Sequence, residues 1–124
     1  MKIQLDSNVL IEVINNKLSL DNNYEYFINP IAYGEVAYGF ENYGIDLSDF
    51  DKFLDSHHIG PINMSFSTGK IYAQIKVKLK HNPITDNDLL VACSAIDYDM
   101  KLWTLNKKHF ARIPNLELYK YEKI

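Results

Sequence analysis

Short apolar runs alternate with stretches of helical period along almost the whole chain, and this alternation restricts the fold more than any other feature. Lys2–Leu5 reads as a strand running into Asp6. Residues 7–16 read as a helix with Val9, Leu10, Val13 and Ile14 on one face, and 24–28 as a second strand. Pro30 suits the first turn of a helix over 31–42, and 46–55 forms another helix. A strand is expected over 59–64, then a long helix over 65–80 in which Ile71, Ile75 and Leu79 recur every four residues. Residues 86–98 predict a helix with Leu89, Ala92, Cys93 and Ile96 along one face. Strands over 101–105 and 116–121 complete the set. Such βα repetition implies an α/β fold of three layers, α/β/α, whose central sheet is mainly parallel with helices on both faces. We find no internal repeat, low-complexity tract or linker, so the 124 residues are expected to form one domain spanning 1–124.

The composition, 47% hydrophobic and 23% charged, is that of an ordinary globular chain. One cysteine, Cys93, rules out an internal disulfide, and its apolar surroundings suit a small buried side chain rather than a reactive thiol. The first residues, MKIQLDSNVLIEVINN, lack the uninterrupted apolar core of a signal peptide, and no run is long enough to span a membrane. A cytoplasmic protein is therefore expected. The net charge of −3 argues mildly against a nucleic-acid binder. The bases are clustered, however: Lys70, Lys76, Lys78 and Lys80 in one segment, Lys107, Lys108 and Arg112 in another. Acids that hold a metal ion would lower the formal sum without repelling phosphate once the ion is bound.

In parallel α/β sheets, sites form beyond the carboxyl ends of the strands. Four polar residues fall where that rule predicts. Asp6 closes the first strand, Glu35 lies in the helix after the second, Asp88 lies in the first turn of its helix, and Asn106 follows the 101–105 strand. Three carboxylates together repel one another unless a cation joins them. Oxygen donors suit Mg²⁺ or Mn²⁺, which activate water and neutralise a phosphoryl group. The four histidines show no zinc spacing, and His57 and His58, being adjacent, diverge on a helix. Each acid also has a structural reading. Asp6 suits a helix N-cap, Glu35 a solvated helix face partly covered beside Ala32, Val36 and Phe40, and Thr85-x-x-Asp88 a capping box.

The segments around these acids resemble a known family. Leu5-Asp6-Ser7-Asn8-Val9-Leu10-Ile11 is similar to the opening of PIN-domain ribonucleases, in particular the VapC-type toxins of bacterial toxin–antitoxin pairs. Ile31-Ala32-Tyr33-Gly34-Glu35-Val36-Ala37-Tyr38-Gly39 resembles the second block of that family, and Pro83-Ile84-Thr85-Asp86-Asn87-Asp88-Leu89-Leu90-Val91-Ala92 the third. Leu102-Trp103-Thr104-Leu105-Asn106-Lys107-Lys108-His109-Phe110 resembles the fourth, and Ile113-Pro114-Asn115-Leu116 the tail. The blocks come in the family's order and span nearly the whole chain. The resemblance implies that Asp6, Glu35 and Asp88 bind Mg²⁺ or Mn²⁺ and that Asn106 takes the fourth site position. It implies an RNA substrate, tRNA included, inhibition by a VapB-type antitoxin, and a homodimer. Where relatives often carry an acid before the phenylalanine of the fourth block, this chain has His109. Asp86 is an alternative to Asp88, although the Asn-Asp-Leu-Leu match favours Asp88.

Two other readings remain open from sequence: an aspartate-dependent phosphohydrolase with Asp6 as nucleophile, against which Asn8 counts, and a catalytically silent module with this fold. Trp103 reads as core, and some of the nine tyrosines as stacking residues for single-stranded RNA. The lysines 76, 78 and 80 suit either a solvated face or phosphate contact. Ile45, Leu47, Phe50 and Phe53 offer more apolar groups than a short helix needs for one buried face, which predicts a groove for an antitoxin helix.

Overall fold

The structure, a computed structural model, describes residues 1–121. Four strands, β1 (Lys2–Leu5), β2 (Glu25–Ile28), β3 (Ile59–Pro61) and β4 (Lys101–Trp103), form one sheet in the order β3-β2-β1-β4, and every pairing is parallel. The helices are α1 (Ser7–Ile14), α2 (Pro30–Asn42), α3 (Leu47–Ser56), α4 (Phe66–Lys78), α5 (Asp86–Asp97) and α6 (Lys107–Phe110). The expected α/β fold with a parallel central sheet is the observed one.

Alternation along β1 explains how both faces become covered. Ile3 and Leu5 point into a core with Val9, Leu10 and Val13 of α1, Ala32 and Val36 of α2, and Phe50 of α3. The opposite face packs a second core in which α5 supplies Leu89, Val91, Ala92, Cys93 and Ala95, joined by Ile75 of α4 and Phe110 of α6. Gln4 points to that second face and is fully buried. Its amide donates to the Val91 carbonyl at 2.9 Å, and its oxygen lies 3.0 Å from the Ser94 hydroxyl. Asn29 donates to the same hydroxyl at 3.0 Å while its own oxygen caps α2 at the Ala32 N–H. No buried side-chain polar atom among the described residues lacks a partner, as expected when unpaired burial is costly. This network ties the carboxyl ends of β1 and β2 to α5.

Several boundaries differ from the sequence reading for local reasons. Helix α1 ends at Ile14 because Asn16 turns left-handed, φ 60°. Strand β3 ends at Pro61, which an edge strand tolerates, and the Ile62 N–H makes the last bond to β2, at 2.8 Å to the Ile28 carbonyl. Ser65 stands before α4, with its N–H bonded to the Thr68 hydroxyl at 3.1 Å. Strand β4 stops at Trp103, and α6, which the sequence reading left out, follows it. The strand expected over 116–121 is reduced to one parallel bridge, Leu102 to Leu118. The cause is the pleat. The Trp103 carbonyl turns toward β1 and accepts from the Asp6 N–H, so of the three β4 residues Leu102 is the one that offers both backbone groups to the outer edge. It bonds Glu117 and Tyr119 there, at 2.9 and 2.8 Å.

The apolar surface expected over 45–53 does not exist as such. Phe50 is fully buried, and Leu47 and Phe53 pack against the first core, which leaves Ile45 exposed alone among the four. Phe50 stacks on Tyr33 and meets Phe40, so these side chains seat α3 on α2. Trp103 is core, between Tyr26, Tyr119 and Tyr121. Cys93 is buried, and desolvation pushes its thiol up to about 12. No helix among the described residues is long and apolar enough to cross a membrane.

Candidate active site

The chain runs from β1 through β2 to β3 on one side and then crosses to β4 on the other side of β1, so the crevice beyond the carboxyl end of β1 is the switch point of the sheet. Asp6 stands there. Its backbone N–H bonds the Trp103 carbonyl at 3.2 Å, and its Oδ1 accepts from the Val9 N–H at 2.9 Å, capping α1. It is 6% exposed. Cap and site coincide in this residue, because a strand that ends on an N-cap aspartate aims the carboxylate out of the sheet edge.

Burial is the main cause that raises the Asp6 pKa above its ordinary value; hydrogen bonds from the Thr104 side chain and from the Val9 and Asn8 amides oppose it, and the negative charge of Asp88 adds to it. Glu35, one turn into α2, is more exposed. Its pKa is raised as well, first by partial desolvation, with a bond from the Ser7 side chain opposing and the charges of Asp88 and Asp6 reinforcing. The three acids predicted from sequence thus act on one another across β1, α2 and α5. They stand apart enough that, among the described residues, no three His, Cys, Asp or Glu side chains surround a single point suited to a metal ion.

Asp88 sits in the first turn of α5, half exposed, and its N–H faces the Thr85 hydroxyl at 3.4 Å. Thr85 therefore takes the cap position, and the Asp88 carboxylate is left facing the site. Its Oδ2 lies 3.3 Å from His109 Nε2 of α6. Asp86, the alternative acid, is engaged elsewhere. Its Oδ1 accepts from Lys76 Nζ at 2.8 Å and from the Tyr72 hydroxyl at 2.7 Å, and these bonds hold its pKa below the ordinary value. Asn106 is exposed; its backbone N–H bonds Thr104 Oγ1 at 3.0 Å, and its side chain makes no capping bond to α6.

Three contributors escaped the sequence reading. Ser7 bonds Glu35, and Thr104, buried at the end of β4, bonds Asp6. The signal for each is a hydroxyl directly beside a strand end. His109, read only as a departure from pattern, touches Asp88.

In its chemistry, though not in the present spacing of its acids, the donor set suits a hard divalent cation. It consists of oxygen donors, two of them carboxylates whose charged forms are disfavoured as they stand, and no lysine or arginine is among the groups that act on Asp6 or Glu35. Asp6, Glu35 and Asp88 are the residues that would hold such an ion.

The PIN domain family model matches residues 3–116. A Ribonuclease VapC of Rickettsia bellii is 31% identical over 95% of this chain and 95% of its own length. Ribonuclease VapC1 of Methanocaldococcus jannaschii is 34% identical over 98% of this chain and 88% of its own length. Among solved structures, VapBC2 from Rickettsia felis, bound to a DNA fragment from its promoter, superposes with a TM-score of 0.83 at 28% identity, covering 98% of this chain and 100% of that one. VapBC-1 of nontypeable Haemophilus influenzae gives 0.78 at 26% identity, covering 96% and 97%. Together with a parallel sheet that places Asp6 at its switch point, these similarities show that the chain belongs to the PIN-domain family, among the VapC proteins.

Proposed function

We propose that this protein is a Mg²⁺- or Mn²⁺-dependent endoribonuclease and the toxin of a toxin–antitoxin pair. The observation that carries the reading is the recessed Asp6 carboxylate, with the Asp88 charge acting on it, both aspartates acting on Glu35, and no lysine or arginine among these groups. When bound, the ion would lower the pKa of a water and neutralise charge on the phosphoryl group. The chain's own residues do the rest. Val9 and Thr104 fix the Asp6 carboxylate, so little reorganisation is needed when substrate arrives. Ser7 orients Glu35, whose raised pKa suits its carboxylate to take up a proton. His109 holds the Asp88 carboxylate from the outer side. Asn106, exposed and two residues beyond Thr104, would meet the substrate from the β4 side.

The relatives are named ribonucleases, and the structural neighbours are VapBC assemblies, which supports a protein antitoxin as partner. Incubating the purified chain with total RNA, purified tRNA and a small phosphate ester, each with and without Mn²⁺, tests the nuclease reading. Cleavage of RNA alone, and only with metal, is expected. Hydrolysis of the ester instead would favour the phosphohydrolase, and no reaction with any substrate the silent module. Co-expression with the small reading frame beside the gene tests the partner: the two proteins are expected to purify together and growth arrest to be relieved.

A further inference from the structure

The two flanks of the acid site carry opposite charge. On the α2 side, α3 and its approach hold Glu41, Asp46, Asp49, Asp51 and Asp55 against Lys52 alone, all exposed. On the α5 side the balance is reversed, and the structure joins the basic segments into one ridge. His109 links α6 to Asp88, Arg112 bonds the carbonyls of Asn82 and Pro83 in the loop before α5, and Lys76 bonds Asp86 in the first turn of α5. The end of α4, that loop and α6 are therefore neighbours. The Lys76 charge is offset by Asp86, whereas Lys78, Lys80, Lys107 and Lys108 are exposed and, among the described residues, form no ion pair.

We propose that a single-stranded RNA crosses the site along this ridge, its phosphates on Lys78 and Lys80 at one end and on Lys107 and Lys108 at the other, and leaves the α3 flank untouched. The proposal rests on the nuclease reading above and adds the path of the substrate. Exposed lysines that contact phosphates give affinity without sequence preference, and acids on the opposite flank repel a strand laid the other way. The recess of Asp6 selects a single strand, which can lower one phosphate toward a buried carboxylate where a stiff duplex cannot.

The test measures binding of a short fluorescein-labelled single-stranded RNA in EDTA, where metal-dependent cleavage is stopped, across a series of salt concentrations. The doubles Lys107→Gln/Lys108→Gln and Lys78→Gln/Lys80→Gln are each expected to weaken binding about tenfold and to flatten the salt slope by about 1.4, two phosphate contacts at ~0.7 each. Asp49→Asn/Asp55→Asn is expected to change affinity less than about twofold. All six positions are exposed, so circular dichroism of the variants should match the unaltered chain. Unchanged affinity and slope in the lysine variants, an equal effect at α3, or equally tight lysine-dependent binding of duplex DNA would each overturn the path. If the unaltered chain cleaves RNA with Mn²⁺ while the lysine variants bind normally, the path fails and the nuclease reading stands; if it neither binds nor cleaves RNA, both fail.

Discussion

The β1–α1 junction and the β4–α6 junction approach the same crevice and are built differently. At the first, Asp6 ends a fully paired strand, caps an eight-residue helix and is held by backbone amides and a threonine hydroxyl. At the second, the chain leaves β4 through the buried Thr104, exposes Leu105 and Asn106, and starts a four-residue helix with no side-chain cap. The first junction is rigid because the bonds that make the secondary structure also fix the Asp6 carboxylate. The second has polar groups whose positions secondary structure does not dictate. Precision at the site should therefore come from β1–α1, and adaptation to substrate from β4–α6.

Breaking the rigid junction should have the largest effect. Asp6→Asn keeps the Oδ1 that accepts from Val9 but removes the charge, so cleavage is expected to fall more than about a hundredfold, beyond the ~10–100-fold typical of residues that only support a ligand, with circular dichroism unchanged. Thr104→Val removes the hydroxyl bond to Asp6 while preserving shape at a buried position, and kcat/KM should drop about tenfold, within that supporting range. Asn106→Ala, on the exposed junction, should lower the rate less than about tenfold and act more on KM than on kcat, as expected for a rim group that helps place substrate. A loss at Asn106 as large as that at Asp6 would erase the contrast between the junctions.

The smallest expected effect is on stability. Asp6 and Glu35 have pKa values raised above their ordinary 3.8 and 4.5. A carboxyl whose pKa is higher folded than unfolded favours the folded state while protonated, and that contribution is lost as pH rises through the raised value. In EDTA, then, Tm should fall as pH climbs from mildly acid to neutral. Asp6→Asn should melt a few degrees above the unaltered chain at neutral pH, the scale on which ~1 kcal/mol registers in a domain of this size. Mn²⁺ should raise the Tm of the unaltered chain and not that of the variant.

The same contrast explains what could be read from the sequence. The parallel α/β fold was legible because Val9, Leu10, Val13 and the Ile71, Ile75 repeat follow helical spacing, and because Asp6, Pro30 and Thr85 mark helix starts by local rules. The approach of the three acids to one another was legible because Asp6 closes a strand, Asp88 lies in a first turn and Glu35 lies in the helix that follows β2. What escaped depended on geometry between distant segments. The burial of Phe50 and the packing of Phe53 require knowing that α3 lies on α2, and the reduction of the last strand to one bridge requires knowing which way Leu102 turns its backbone. The Thr104–Asp6 and His109–Asp88 contacts join residues 98 and 21 positions apart, and no periodicity announces such pairs.

The central proposal is that Asp6, Glu35 and Asp88, which as they stand surround no single point, close on a divalent cation when it binds, and the most direct test is Mn²⁺ binding followed by electron paramagnetic resonance, with no substrate present. The account predicts that the unaltered chain binds Mn²⁺, that Asp6→Asn and Asp88→Asn each abolish the bound signal, and that Glu35→Gln weakens it. Binding that survives unchanged in both aspartate variants, or that is absent from the unaltered chain, would contradict it.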